Sequence, residues 1–350
     1  MRFSLLAGGL ALLAAAAGGA FFFTLRHFNH FAAVENRFAG TCAPVTGVAG
    51  PEDIEVIPAR ERAFISSLDR RAPESARGAV LAVLVADPLD SENWRDRTGG
   101  VPEKFRPLGI NYYESGEVRR LFVVNEATGT VDLFDVAANG DLAFLESVGE
   151  RRLTSPNDVV AVGPRSFYVT NDLAAGRNSL LGKFQFLSRA GAGTVFYFDG
   201  VSMRIAAEGL RFANGIAVNQ RGTRLYVAET SGQALKIFDR DVETGSLGLA
   251  GVAPLPAAPD NINIAWDGSL WIGAQPKPLS VPLVERNPEM TAPSLVIRFV
   301  DQEGVASPIT EIFSDAGETI STASVAAVSG GKLLIGALLD SKYLICDLPG

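Results

Sequence analysis

Oxygen-bearing side chains, in pairs at three of four places, recur just ahead of short apolar runs in this chain. Glu52-Asp53 precedes "IEVI", Asn157-Asp158 precedes "VVAV", Asn214 with Gly215 precedes "IAV", and Asp260-Asn261 precedes "INIAW". Carboxylates and amides supply hard oxygens, and about six to eight of these make the coordination shell of calcium. No Cys or His stands at these positions, which disfavours softer metals. His27 and His30 are the only histidines. From about residue 40 onward the chain can therefore form no Ser-His-Asp triad, Cys-His pair or histidine zinc site. A single Asn-Asp or Asn-Gly pair is ordinary turn chemistry; repetition in register is what points to a cation. Asp135, Asn139, Gly140, Asp141 and Glu146 echo an EF-hand spacing, but Ala137 stands at the third position. Asn139-Gly140 reads as a hairpin turn instead.

The elements that must position these pairs form a repeat. A strand ending in a small or polar residue occurs six times: "AFISS", "LFVVN", "FYVTN", "LYVAE", "LWIGA" and "LLIGA". Each copy is preceded and followed by another strand-like run, and no long amphipathic helix is evident after residue 45. Six units of three to four strands predict an all-β fold, a six-bladed β-propeller around a central channel, with an N-terminal hydrophobic helix. A pair of β-sandwiches is the competing architecture. In a propeller the first strand of each blade lies nearest the axis. The six would open with Glu52-Asp53, Leu108-Gly109-Ile110, Asn157-Asp158, Asn214, Asp260-Asn261 and Ser321-Thr322. Four carboxylates, Glu52, Asp53, Asp158 and Asp260, would then converge in a poorly solvated channel and repel without a cation.

The rest of the composition sets the context. The net charge of −8 argues against a nucleic-acid partner and permits cation binding. Phe3 to Leu25 carries no charge and is flanked by Arg2 and Arg26. That length favours an uncleaved signal anchor, though Ala15, Ala17 and Ala20 leave cleavage open. The expected organisation is an anchor over 1–30, a linker over 31–45 and the propeller over 46–350, on the exported side of a membrane or secreted if the segment is cut. Cys42 and Cys346 flank the repeat array, where they would be either a disulfide in an oxidising compartment or two unrelated buried thiols. Insertions over 173–193 and 276–293 are expected as loops on one face. In the first, Phe184, Phe186 and Leu187 could form a lid, meet the membrane or pack on the domain.

In "PEDIEVIP", "LGI", "PNDVVAVGPRSFYVTND", "EGLRFANGIAV", "APDNI", "LWIG", "GKLLIG" and "YLICDL" the chain resembles the paraoxonase/arylesterase family of calcium-dependent hydrolases, from about residue 42 to its end. The resemblance implies a six-bladed propeller with two calcium ions in its tunnel. The catalytic ion would use Glu52, Asn157, Asn214, Asp260 and Asn261. The structural ion would use Asp53, Asp158 and the main-chain carbonyl of Ile110. Cys42 and Cys346 would be disulfide-bonded. The family's histidine dyad falls at Leu108 and Glu126, and a further family histidine at Leu173, so none of the three is histidine here.

The expectation is a calcium-dependent hydrolase of lactones or carboxylic (aryl) esters, in which a metal-polarised carbonyl is attacked by water. Asp260 is the first candidate for the base and Glu126 the second. The alternatives are a non-catalytic calcium-stabilised binding propeller and a strictosidine-synthase-like propeller whose chemistry is not hydrolysis.

Overall fold

The computed structural model describes residues 2–57, 62–85, 95–302 and 308–349, with side chains from Ala15 onward, apart from that of Arg95. Six sheets, antiparallel apart from one short pair in the second, lie around a common axis. Their innermost strands are Pro51–Ile57, Pro107–Ser115, Pro156–Ala161, Ala213–Val218, Ala258–Ile264 and Ala323–Ser329. Each touches the innermost strand of the blade before and after it, and the sixth touches the first, so the ring is closed. These strands are buried at their first residues, and all but Pro107–Ser115 over most of their length, because both faces meet neighbouring blades. Outer strands such as Leu247–Pro254 are mostly exposed. Burial on both faces selects continuous Val, Ile and Ala, whereas burial on one face selects alternation.

The core is divided among the wedges between blades. Phe122, Phe167 and Phe196 fill the wedge between the second and third, and Ile237, Ile272 and Phe299 that between the fourth and fifth. The second blade has a fifth strand, because Thr98–Gly99 pairs in parallel with Leu142–Gly149. The EF-hand echo resolves into the predicted hairpin turn. Asp135 pairs with Arg120, Glu146 with Arg165, and Asn139 donates to Asp141 at 2.7 Å.

The sixth blade is made from both ends of the chain. Thr41–Thr46, all but its last residue inside the stretch expected as a linker, pairs antiparallel with Lys342–Asp347. Cys42 lies opposite Cys346 and is disulfide-bonded to it across 304 residues of sequence. The covalent bond thus closes the ring where the hydrogen bonds do.

The two insertions carry the short helices. Helix α2, Leu180–Leu187, is capped by Ser179, whose hydroxyl accepts from the Gly182 N–H. Helix α3 spans Val281–Arg286. Phe186 of α2 packs on the domain, stacked on Phe28 at 5.3 Å and edge-on to Phe212 at 5.2 Å. Phe184 and Leu187 are exposed. The N-terminal helix α1 spans Arg2–His27 and ends against the fourth blade, where a His27 ring nitrogen lies 2.9 Å from the Ser231 carbonyl. Much of the predicted anchor lies in residues 1–14, outside the described side chains. Among the described residues no helix is long and apolar enough to cross a membrane.

Candidate metal centre

All six innermost strands break register with their neighbours at their first residues. The irregularities fall at Glu52, Leu108-Gly109, Asn157-Asp158, Asn214-Gly215, Asp260-Asn261 and Ser324. A bulge re-aims side chains that a regular ladder would send to alternate faces. Here it turns the predicted pairs toward the hub. The sixth position corrects the sequence expectation, because Ser324 occupies it rather than Ser321 or Thr322. The Ser324 hydroxyl donates to the Glu52 carbonyl at 2.6 Å. Ser321 instead accepts from the Ala292 N–H and holds the second insertion in place.

Glycine makes the hub narrow enough. A Cβ on Gly109 would lie 2.3 Å from Asp158 Oδ1, and one on Gly215 would lie 2.3 Å from the Asp260 carbonyl oxygen. Both positions therefore exclude any side chain, and adjacent blades approach backbone to backbone.

The predicted ligands fall into two sets with different bonding. Asp53 accepts from the N–H groups of Ile54 at 2.8 Å and Ile110 at 2.7 Å. Asp158 does the same with Val159 at 2.7 Å and Ile216 at 2.8 Å. Each aspartate thus ties its own blade to the next inner strand. Burial pushes both carboxyls well above the usual range, and each is also raised by nearby carboxylates, Asp158 and Glu52 around Asp53, and Glu52 around Asp158.

In the other set the asparagines donate and leave oxygens unused. Asn261 Nδ2 donates to Glu52 Oε1 at 3.0 Å, Asn214 Nδ2 to Asp260 Oδ1 at 2.5 Å, and Asn157 Nδ2 to Asp172 Oδ2 at 3.4 Å. Gln275 Nε2 donates to the second Asp260 oxygen at 2.6 Å. Glu52 Oε2, Asn157 Oδ1, Asn214 Oδ1 and Asn261 Oδ1 are buried with no hydrogen-bond partner among the described residues. Buried acceptors are normally satisfied, and each exception requires an explanation. Four unpaired oxygens on four of the five predicted ligands fit a cation. No group of three or more His, Cys, Asp or Glu forms a metal cluster among the described residues. The donor set is instead two carboxylates completed by three amides. Burial raises Glu52, and burial together with the Glu52 charge pushes Asp260 to about 7.

Thr230 and Gln275 were not foreseen at the site, and Asp172, with Asn171 in "TND", is expected from the sequence only as a supporting or turn residue. Asp172, Thr230 and Gln275 each follow or end the second strand of a blade and bond to Asn157, Asn214 and Asp260 respectively. The repeat held that signal in "TND", "AET" and "GAQ", one residue beyond the point at which the strands were compared. The second blade departs from this pattern. Leu108 packs with Phe122, Val124 and Val159, and Leu173 is buried. Glu126 turns toward Arg106 Nε at 3.0 Å and Arg177 Nη1 at 3.5 Å. Burial would raise Glu126, but Arg70, Arg177 and Arg106 together bring it below the usual value. Arg177, supplied by the first insertion, also pairs with Asp172 at 2.9 Å. A separate cavity of about 880 Å³ lies at the far end of the channel, beside Glu55, Asn111 and Trp266. None of the unpaired groups lines it, so the chemistry belongs to the bulged end.

The profile of the arylesterase family matches residues 32–348. The chain is 29% identical to serum paraoxonase/arylesterase 2 of Homo sapiens, over 98% of this chain and 99% of that one. It is 30% identical to serum paraoxonase/arylesterase 2 of Gallus gallus, over 88% of each. Among solved structures, a gluconolactonase from Xanthomonas campestris superposes with a TM-score of 0.56 at 18% identity, covering 89% of this chain and 90% of that one. This last likeness is one of fold.

Proposed function

The chain belongs to the arylesterase family, a hydrolase of the lactonase or esterase type, and from that premise we propose that it cleaves lactones or carboxylic (aryl) esters at a calcium ion in the propeller hub. The observation that carries the calcium reading is the set of unpaired oxygens on Glu52, Asn157, Asn214 and Asn261. With Asp260 these residues would hold the catalytic ion. Asp53, Asp158 and Ile110 would hold a second ion, a reading supported by the burial of both aspartates beside other carboxylates, Asp158 and Glu52 around Asp53 and Glu52 and Glu55 around Asp158, rather than by unpaired atoms. Bound calcium would supply a Lewis acid that polarises the ester carbonyl and stabilises developing negative charge.

The chain's own residues do the rest. Asn214 and Gln275 hold both oxygens of Asp260, fixing the carboxylate that would take the proton from the attacking water. Glu126 is a poorer base, because two guanidinium groups occupy its oxygens and stabilise its ionised form. Its role here is to orient Arg106 and Arg177. The dyad positions thus hold an apolar residue and an arginine-bound carboxylate, and proton transfer falls to the hub itself.

The disulfide agrees with an oxidising, exported location. In this reading the N-terminal segment tethers the propeller to a membrane, or leaves it secreted where cleaved. Exposed Phe21, Phe22 and Phe23 of α1 and Leu180 and Phe184 of α2 support contact with lipid. The test is a panel of lactones and aryl esters with and without chelator. Chelator-sensitive turnover that Asp260→Asn abolishes without unfolding is expected. Calcium-dependent stability with no turnover on any member would make the ion a structural hub.

A further inference from the structure

Three guanidinium groups reach the bulged end of the channel, and they are not equivalent. Arg106 is matched by Glu126 at 3.0 Å, and Arg177 by Asp172 at 2.9 Å. Arg70 acts on Glu52 and Glu126 only through its charge, and among the described residues no carboxylate hydrogen-bonds to it. It is buried, with 9% of its side chain exposed. Its Nη2 donates to the Pro107 carbonyl at 3.3 Å and lies 4.0 Å from Glu52 Oε2, beyond hydrogen-bond reach. Its Nε and Nη1 are buried with no hydrogen-bond partner among the described residues. Unpaired buried donors on an ion are expensive, and a guanidinium that served only to neutralise Glu52 would turn its fork onto that carboxylate.

The charges give the same result. A divalent cation matches Glu52 and Asp260. Glu126 and Asp172 match Arg106 and Arg177. With a cation on Glu52, Arg70 is then the one guanidinium of this group without a carboxylate of its own within hydrogen-bond reach among the described residues. Unpaired acceptors thus stand beside unpaired donors, and the site is built for a cation and an anion together.

We infer that Arg70 is a specificity residue that binds a carboxylate carried by the substrate, close to the scissile carbonyl. The planar fork of Nε and Nη1 matches the two oxygens of a carboxylate. The short separation from Glu52 suits an acid on the ring of a small lactone rather than one at the end of a long chain. This inference rests on the hydrolase reading above, and it extends that reading to a substrate class.

The experiment compares γ-butyrolactone with its γ-carboxylate, using the full calcium-loaded chain and the variants Arg70→Met and Arg70→Lys. For Arg70→Met, KM for the carboxylate is expected to rise at least about tenfold, or about 1.4 kcal/mol, while kcat/KM for the neutral lactone stays within about threefold. Arg70→Lys restores the charge without the fork and should recover part of the loss. Equal losses on both lactones, whether in KM or in kcat, overturn the inference. That pattern is the one a purely structural arginine would give, as would one that binds only the carboxylate created by the reaction.

A binding measurement separates this inference from the hydrolase reading. Calorimetric titration with oxocyclopentane carboxylate, a non-hydrolysable mimic of the acidic lactone, needs no turnover, and cyclopentanone is the neutral control. Binding of the carboxylate that is lost in Arg70→Met supports the anion site even if neither lactone is cleaved. Binding unchanged in Arg70→Met, or no preference over cyclopentanone, removes it.

Discussion

Replacing Asp260 by asparagine separates a hub built for a cation from one that merely contains polar residues. In the metal-free chain, burial and then the Glu52 charge push Asp260 from 3.8 to about 7. That difference amounts to roughly 4 kcal/mol between its protonated and charged forms. The folded-state value is the raised one. The stabilising contribution is therefore complete below about pH 4 and is lost as pH rises through about 7. At pH 8 the metal-free protein carries the full cost of a buried charge. Asp260→Asn removes it, but an amide offers a single acceptor oxygen to the two donors, Asn214 and Gln275. One hydrogen bond is lost, at about 1–2 kcal/mol. The metal-free variant should thus exceed the wild type by roughly 2–3 kcal/mol at pH 8 and lose that advantage near pH 5. Calcium at a hundredfold excess over its dissociation constant should stabilise the wild type by about 2.7 kcal/mol and the variant far less. Thermal unfolding in chelator at the two pH values, and again in calcium, reads all of these quantities. A variant less stable than wild type in chelator at pH 8, or one that gains as much from calcium, would refute the reasoning.

Other outcomes follow from the same geometry. Gly109→Ala places a methyl 2.3 Å from Asp158 Oδ1 and 2.5 Å from Asp158 Cα. It should lower stability by about 3 kcal/mol and weaken the response to calcium, and an unchanged melting temperature would contradict the close approach. Cys42→Ser opens the bond between the first and last strands and should cost about 2–5 kcal/mol, read as a shift in denaturant midpoint that reduction of the wild type reproduces. Glu126→Gln should keep kcat within about threefold, whereas a loss beyond about a hundredfold would make Glu126 the general base. Because Glu126 is held ionised, it should contribute no limb to the pH–rate profile near neutrality.

The propeller was legible because a closed ring repeats its environment six times. Strands such as "LFVVN" and "LWIGA" meet the same flanking blades, so the same residue types recur and the period stands out. The polar pairs were legible for the same reason. They fall where a buried strand should continue its apolar run, and only a function or a cap explains the interruption. The sixth blade was misread by position. Ser321 and Thr322 look like an opening pair, but the bulge falls at Ser324, and periodicity does not fix where a ladder slips by one residue. Arg70, Arg106 and Arg177 were missed because they lie in connections outside the repeat. Arginine in a loop is ordinary in sequence. It becomes informative only when its burial and its unpaired nitrogens are known.

By itself the sequence determined the six-fold β architecture, the all-oxygen character of the hub and the absence of histidine chemistry from the body. These follow from residue type and period, which are local properties of the chain. Tertiary structure alone decided which oxygens are left without partners among the described residues, that Glu126 is pinned between guanidinium groups, and that Arg70 is buried with two nitrogens unpaired among those residues. The physical reason is that hydrogen-bond satisfaction and desolvation depend on every neighbour a group meets in space. At this hub those neighbours come from positions as far apart in sequence as Glu52 and Asn261.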